Sequence, residues 1–244
     1  MNLNQLANFW DVIGETDPLW GILSVTKKRG NKWDETEFFI TGKVEIDELF
    51  SKYISNIRVN KNETALDFGC GIGRCTRALA AYFPAVIGVD LSATMIQKAK
   101  SINKNINNCS FFLNQRDNLK VFKNESFEFV FSILTLQHIS SDLQLKYLNE
   151  LCRVLKSGGI LVFQVVTGYS VNPKGLLRLL LGKKLLKLYN KKKYRLNVPL
   201  EMHLLHLSKI LKVLEKNSMI TIKKIKDHAA GNSFLSYKFI CRKN

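Results

Sequence analysis

The sequence predicts an α/β fold whose mostly parallel sheet finishes with an antiparallel pair of strands. Two observations predict the parallel part. Short apolar segments alternate with helix-forming segments from residue 64 to residue 166, and a glycine-rich turn at 69–73 joins the first strand to the first helix. A third observation predicts the end of the chain. The link between the strand-like segments 219–225 and 234–241 is too short for a crossover, so these strands must pair antiparallel.

Five apolar segments define the predicted parallel strands. They are Thr64–Phe68, Ala85–Val89, Ser110–Leu113, Phe127–Ile133 and Ile160–Val166. Helices are expected between and after them, at 74–82, 93–101, 141–156 and 204–216. Ser141 is expected to cap the third of these helices at its N-terminus, and the glycines at 158–159 are expected to cap its C-terminus.

The chain has 244 residues, which fits one domain spanning 1–244. We divide it into an N-terminal helical cover (1–60), a ligand-binding core (61–168), a basic insertion (169–203) and a C-terminal helix with a strand pair (204–244). The cover contains all three tryptophans of the chain, which we expect to pack in the core.

The chain is strongly basic, with 37 Lys+Arg against 20 Asp+Glu and a net charge of +17. Such a charge can attract nucleic acid, anionic lipid or an acidic substrate, but abundant Lys, Asn and Ile together also fit a compositional bias. The five cysteines lack zinc-ligand spacing, and the first 15 residues lack a secretory pattern. We therefore expect reduced thiols and a cytoplasmic protein with no metal site.

Two acids and the glycine turn predict the ligand site. Asp67 lies two residues before Gly69, and Asp90 ends the next strand, 21 residues after Gly69. Because parallel strands present their carboxyl ends at one edge, these groups should converge there. An acid at this distance is placed to bind ribose hydroxyls. The spacing G-x-G-x-G behind an acid suits a cationic ligand end better than the pyrophosphate of a dinucleotide, so a dinucleotide oxidoreductase is disfavoured.

Several sequences of the chain together resemble a known family. They are LDFGCGIG, GVDLSATM, NESFEFVFS followed by LQHI, and LKSGGILVFQV. This combination is similar to class I S-adenosylmethionine-dependent methyltransferases, and more narrowly to their small-molecule, LxxH-type branch. The resemblance is strong over 37–170 and looser over 200–244. It implies a Rossmann-like, seven-stranded sheet with an antiparallel last strand, S-adenosyl-L-methionine as cofactor and S-adenosyl-L-homocysteine as product.

The resemblance also implies roles for individual residues. Asp67 and the turn residues Gly69, Cys70, Gly71 and Gly73 would hold the amino-acid end of the cofactor, and Asp90 would bind its ribose. The remaining implied contacts are Leu91 and Met95 beside the adenine, Asn114 or Asn118 at its amino group, and Ser132 to Leu134 along the methionine portion. The segment 38–42, FFITG, is similar to an N-terminal lid of some small-molecule methyltransferases.

Two histidines are candidates for a catalytic base. A hydroxyl acceptor needs a base near its proton, and histidine is the usual choice at neutral pH. His138 follows the fourth strand and falls at the edge of the predicted site. His203 is the second candidate and, three residues before His206, would share a helix face with it. For either residue a purely structural role is about equally plausible, and a two-histidine metal site lacks a third ligand.

Two interpretations of the basic, leucine-rich stretch at 174–195 remain open. No acidic residue occurs between Glu150 and Glu201, and Leu177 begins a helical spacing of leucines in this stretch. It is favoured as a cover helix that walls the acceptor pocket. The alternative is a helix lying on an anionic membrane, or a basic rim for phosphate-bearing substrates.

We therefore predict a methyltransferase that acts at oxygen or nitrogen of a small-molecule or saccharide-like acceptor. An RNA methyltransferase is one alternative; the net charge favours it, but no RNA-binding module and no catalytic Asn/Asp-Pro-Pro-aromatic tetrapeptide is present. A non-catalytic protein that keeps the cofactor fold is the second alternative. The sequence does not determine the oligomeric state.

Overall fold

A computed structural model describes residues 1–180 and 201–244. Seven strands form one sheet in this part of the chain. They are β1 (Thr64–Phe68), β2 (Ala85–Asp90), β3 (Cys109–Leu113), β4 (Phe127–Ser132), β5 (Leu155–Tyr169), β6 (Met219–Asp227) and β7 (Phe234–Lys243).

The order of the strands across the sheet is β3-β2-β1-β4-β5-β7-β6. Strands β1 to β5 pair in parallel, whereas β7 is antiparallel to both of its neighbours, β5 and β6. The predicted seven-stranded sheet with an antiparallel last strand is confirmed. The order reverses direction between β1 and β4, which opens a crevice at the carboxyl ends of these strands.

The described helices surround this sheet. They are α1 (Leu3–Thr16), α2 (Pro18–Ile22), α3 (Glu35–Glu48), α4 (Arg74–Leu79), α5 (Ala93–Ile102), α6 (Ser141–Val154), α7 (Pro173–Leu180) and α8 (Leu207–Lys216). Short turns of other helix types lie at Thr26–Lys28, Leu49–Tyr53 and Leu136–His138. Of the predicted basic stretch 174–195, residues 181–195 lie outside the described residues.

Strand β5 begins earlier than predicted, and α6 ends earlier. The glycines at 158–159 do not cap α6, because Leu155 is already extended and pairs with Phe127 of β4. Gly158 has a φ of +81° and lies at a shift of register between β4 and β5. These glycines therefore form an irregularity at the start of a strand, a use of glycine that resembles a helix cap in sequence.

The core lies on both faces of the sheet, as an apolar central strand requires. Alternate residues of β4 face opposite sides. Val130 packs in the cluster that contains α6 and α8, whereas Phe129 and Phe131 pack in the cluster that contains α3 and α4. All three side chains are fully buried. In residues 1–180 and 201–244 no helix is long and apolar enough to cross a membrane.

Candidate functional site

A cavity lies at the carboxyl ends of β1, β2 and β4, under the N-terminal helices. Its walls come from the glycine turn, from the ends of the three strands and from α1 and α2. The lining residues include Leu6, Trp10, Ile22, Asp67, Gly69, Cys70, Gly71, Arg74, Asp90, Leu91, Met95, Ile133, Leu134, Thr135, His138 and Ile139. Nine of the residues predicted from the sequence thus lie around one cavity.

The glycine turn is held in shape by β2. The backbone N–H groups of Gly69 and Cys70 both donate to the carbonyl of Val89, at 2.7 and 3.0 Å. Gly69 and Gly71 have φ values of +77° and +54°, which favour glycine. A Cβ added to Gly69 would lie 2.1 Å from Oγ1 of Thr135, so a larger residue has no room there. The turn therefore presents bare backbone to the cavity.

Asp67 is a buried carboxylate at the end of β1, with 3% of its surface exposed. Its Oδ2 accepts a hydrogen bond of 2.7 Å from the Thr76 hydroxyl. Burial raises the pKa of Asp67 to about 6, although the Thr76 bond and the positive charge of Arg74 act in the opposite direction. A buried acid of this kind gains from a cationic ligand group, which would restore its usual pKa.

Asp90 ends β2 and connects the turn to the next helix. One carboxylate oxygen accepts from the Gly71 N–H and the other from the Ser92 N–H, each at 2.9 Å. Burial raises the pKa of Asp90, and the nearby Asp11 carboxylate of α1 adds to this shift. Asp11 itself accepts from the Ser92 hydroxyl and the Thr94 N–H, which ties α1 to the start of α5. The cover and the ligand site are therefore one packed unit.

Five predicted site residues lie outside the cavity lining: Gly73, Asn114, Asn118, Ser132 and His203. The Asn114 side chain donates to the Asn118 carbonyl at 2.9 Å, and the Asn118 side-chain oxygen accepts from the N–H of Lys120. Both asparagines thus shape the loop after β3 rather than the cavity wall. Ser132 is fully buried in β4, and Gly73 packs against Phe111 and Asn103.

The predicted lid segment 38–42 is not part of the cavity lining. It lies within α3, where Phe38 and Phe39 are buried and Gly42 packs on Arg74 of α4. Leu6 and Trp10 of α1 and Ile22 of α2 line the cavity instead. Thr41 and Gly42 contact Arg74, which lines the cavity, so closure of 38–42 over the ligand stays a prediction.

A chain of buried polar side chains supports the loop after β4, and sequence reasoning missed it. The Gln164 amide of β5 donates to Gln137 at 3.1 Å and to Ser236 of β7 at 2.6 Å, while its oxygen accepts from the Leu134 N–H at 2.9 Å. Leu134 has a φ of +58°, a strained conformation for leucine. The sequence feature that could have indicated these buried hydrogen bonds is a glutamine within the apolar run of β5.

His138 lies at the cavity wall, and its ring contacts Trp10 edge-on at 5.4 Å. Nδ1 is 3.2 Å from the Glu201 carbonyl, which can only accept, so Nδ1 carries the proton. Nε2 then accepts from the Gln137 amide at 3.1 Å. Burial lowers the pKa of His138 from 6.5 to about 4, so the ring is neutral at pH 7. Its contribution to stability is present above pH 6.5 and falls as the pH drops towards 4.

His203 and His206 do not share a helix face, because α8 begins only at Leu207. Residues 201–206 are irregular, and the His203 N–H donates to the Gln137 carbonyl at 2.8 Å. His203 Nε2 lies 3.4 Å from a carboxylate oxygen of Glu201. The structure therefore brings only one of the two predicted histidines to the cavity.

We expect the Asp67→Asn variant to change how stability depends on pH. The folded-state pKa of Asp67, about 6, lies above the unfolded value of 3.8. The wild-type contribution is therefore present at low pH and is lost as the pH rises through 6. The free energy of unfolding of the variant, relative to wild type, should increase by about 2 kcal/mol from pH 4 to pH 8. Urea titrations at both pH values measure the free energies of unfolding, and Asp142→Asn, at an exposed aspartate, is the control. The same difference between variant and wild type at both pH values would show that burial does not raise the pKa of Asp67.

The residues of the cavity fit a ligand with an adenosine and a cationic end. Asp90 can accept from ribose hydroxyls, bare glycine backbone allows close approach, and Asp67 supplies a negative charge. Among residues 1–180 and 201–244, no group of three His, Cys, Asp or Glu side chains is placed to hold a metal ion. Burial raises the pKa of the Cys70 thiol well above its usual range, so it is not a nucleophile at neutral pH.

Comparison with known proteins agrees with this geometry. Residues 66–163 match the family model described as a methyltransferase domain. Demethylmenaquinone methyltransferase of Tropheryma whipplei is 36% identical over 104 residues, which are 43% of this chain and 42% of that protein. The 2-methyl-6-phytyl-1,4-hydroquinone methyltransferase of Synechocystis is 30% identical over 125 residues, 51% of this chain and 38% of that protein. The chain thus spans about two fifths of the length of these relatives.

The fold is that of solved methyltransferases. Magnesium protoporphyrin IX methyltransferase from Synechocystis, with S-adenosylhomocysteine bound, superposes with a TM-score of 0.66 at 14% identity and 99% coverage of both chains. Residues 66–163 therefore match a methyltransferase domain, and the fold of the described residues is that of a solved methyltransferase.

Proposed function

We propose that this chain, which carries an S-adenosylmethionine-dependent methyltransferase domain, methylates a small-molecule or saccharide-like acceptor at oxygen or nitrogen. One observation carries the proposal: Asp67, the glycine turn and Asp90 meet at one cavity that also reaches His138. The proposal places the chain in the small-molecule, LxxH-type branch and in the cytoplasm.

Different residues of the site would hold different parts of the cofactor. Asp67 and the Gly69–Gly71 backbone would hold the amino-acid end of the cofactor, Asp90 its ribose, and Leu91 and Met95 its adenine. When bound, S-adenosylmethionine supplies a methyl group on a positively charged sulfur. The main contribution of the protein is then alignment inside a cavity that α1 and α2 shield from water.

Many of the side chains that line the cavity are apolar. They include Trp10, Ile133 and Ile139, and the ring of His138 in the same lining is neutral. Such a wall suits an apolar acceptor that carries one hydroxyl or amine. Relatives named for a menaquinone precursor and a phytyl hydroquinone support this class.

A methyl-transfer assay tests the proposed function. The protein would be incubated with S-adenosylmethionine labelled in its methyl group and with separated pools of small molecules, glycans and RNA. We expect label in the small-molecule or glycan pool, with the Asp90→Ala variant as the blank. Label in RNA alone would favour the RNA methyltransferase alternative, and no label in any pool would favour the non-catalytic one.

We also propose contact with an anionic membrane through the described start of the basic stretch. Near α7, Val171, Leu177 and Leu180 expose 90%, 52% and 82% of their surfaces beside the cation Lys174. Exposed leucines next to cations are typical of helices that lie in the interface of anionic bilayers.

Flotation with vesicles tests the membrane contact. Wild type should float with phosphatidylglycerol-rich vesicles and much less with phosphatidylcholine alone. The Leu177→Ser/Leu180→Ser variant should lose at least half of this binding. Leu211→Ser, at a leucine of α8 that exposes 46% of its surface, serves as the control. Equal flotation of all three proteins would contradict the proposed surface.

A further inference from the structure

Arg74 is a buried cation of the cavity to which sequence analysis gave no role. It is the first residue of α4, directly after Gly73, and exposes only 5% of its surface. It lines the same cavity as Asp67. The sequence feature that could have indicated it is a cationic residue immediately after the third glycine of the turn.

The guanidinium of Arg74 is poorly satisfied by the part of the chain that the structure describes. Its one hydrogen bond runs from Nη1 to the Thr41 hydroxyl oxygen, at a long 3.4 Å. Its Nε is buried without a partner, and no carboxylate of the described residues lies within 4.0 Å of it. A buried charge without a partner costs several kcal/mol. The site therefore keeps a positive charge that a ligand anion can pair with.

Packing fixes the position of Arg74. Gly42 of α3 lies against it so closely that an added Cβ would be 2.3 Å from the Arg74 carbonyl oxygen and 2.9 Å from its Cγ. Thr41, the residue before Gly42 on α3, donates its own hydroxyl proton to the Phe38 carbonyl at 2.6 Å. Its oxygen thus remains an acceptor for Arg74. The arginine is held in place by α3 before any ligand arrives.

The cavity contains opposite charges that do not pair with each other. Asp67 bonds to Thr76, and Arg74 to Thr41, and these two residues form no ion pair. The amino-acid end of S-adenosylmethionine carries an ammonium and a carboxylate on the same carbon. A fixed carboxylate and a fixed guanidinium in one cavity are complementary to this pair of charges.

We propose that Arg74 binds the carboxylate of the methionine end of the cofactor, while Asp67 binds its ammonium group. This assignment rests on the proposed function. It makes Arg74 a specificity residue: it selects ligands with a complete amino-acid end over nucleosides and amines that lack the carboxylate.

Calorimetry with three ligands tests the assignment. S-adenosylhomocysteine has both charged groups, S-adenosyl-3-thiopropylamine lacks only the carboxylate, and 5′-methylthioadenosine lacks both. We expect Arg74→Ala to weaken S-adenosylhomocysteine binding about 30-fold, and to change the affinity for the other two ligands less than threefold. Arg74→Lys should lie between wild type and Arg74→Ala, because lysine keeps the charge but loses the planar pair of donors.

The matched control is Arg77→Ala on the same helix. Arg77 is exposed, and its guanidinium lies 4.9 Å from the centre of the Phe39 ring. The Arg77→Ala variant should bind all three ligands as wild type does. Thermal melting of the ligand-free proteins checks folding, and Arg74→Ala should be no less stable than wild type, because it removes an unpaired buried charge.

Three results would overturn the assignment. An equal loss of affinity for all three ligands would show that Arg74 only supports the turn, and unchanged binding of S-adenosylhomocysteine would show that it does not touch the ligand. If wild type binds none of the three ligands, the proposed function fails as well. Failure of the arginine assignment alone would leave wild-type affinity for S-adenosylhomocysteine intact.

Discussion

We expect the Asp90→Ala variant to bind S-adenosylhomocysteine at least 100-fold more weakly than wild type. Two effects combine. The variant loses the acceptor for two ribose hydroxyls, and hydrogen bonds to a charged group contribute about 1.5–3 kcal/mol each. It also loses the acceptor that fixes the N–H groups of Gly71 and Ser92, so the turn and the start of α5 are no longer held together. Isothermal titration calorimetry measures the affinity.

Two further variants make the Asp90 result interpretable. Asp90→Asn keeps one oxygen acceptor and should lose roughly tenfold in affinity, since only part of the hydrogen bonding is removed. Asp117→Ala is the control, because Asp117 is half-buried, pairs with Lys146 at 2.8 Å and does not line the cavity. A folded Asp90→Ala protein that binds within threefold of wild type would disprove the ribose assignment.

The second large effect is expected at His138. We expect His138→Gln to slow methyl transfer to a hydroxyl acceptor about 100-fold, the usual scale of a lost general base. The neutral ring can accept a proton at pH 7, and for this the acceptor must displace the Gln137 amide from Nε2. The affinity for S-adenosylhomocysteine should change less than threefold, because His138 is not among the residues assigned to the cofactor.

The His203→Gln variant, assayed in parallel with His138→Gln, shows which of the two histidines the reaction needs. The His228→Gln variant, at an exposed histidine, controls for the loss of any imidazole. Because the pKa of His138 is about 4, its protonation should not limit the wild-type rate above pH 5. A His138→Gln enzyme with wild-type turnover would exclude the base role, and a loss only in His203→Gln would move that role to His203.

The sequence was informative where the fold repeats a local pattern. The alternation of apolar strands and helices predicted the parallel sheet, and the short link before β7 predicted its antiparallel pairing. The acids at strand ends, Asp67 and Asp90, could be placed at one edge because parallel strands share a direction. These inferences need only periodicity and chain direction.

The remaining parts of the site depend on contacts between distant segments. Trp10 could be expected to be buried, but only the packing of α1 on α5, through Asp11 and Ser92, puts it over the cavity. Gln164 is 27 residues from Gln137 in sequence, and their hydrogen bond follows from the pairing of β4 with β5. At Gly158 the local signal was ambiguous, because an irregularity at the start of a strand resembles a helix cap in sequence.

The N-terminal helical cover restricts the space above the glycine turn. Leu6, Trp10 and Ile22 line it from α1 and α2, and a Cβ added to Gly71 would lie 2.7 Å from Cδ1 of Ile22. Ile22 therefore packs directly against the turn. We expect the N-terminal helices to adjust when the cofactor binds, which would close the reacting groups off from water.

The central claim is that this cavity binds the S-adenosylmethionine cofactor. Calorimetric titration of the wild-type protein with S-adenosylhomocysteine, and separately with NAD, tests it most directly. We predict one S-adenosylhomocysteine per chain with micromolar affinity, and no heat from NAD at millimolar concentration. Binding of NAD in preference to S-adenosylhomocysteine, or no binding of S-adenosylhomocysteine by the folded protein, would contradict the account.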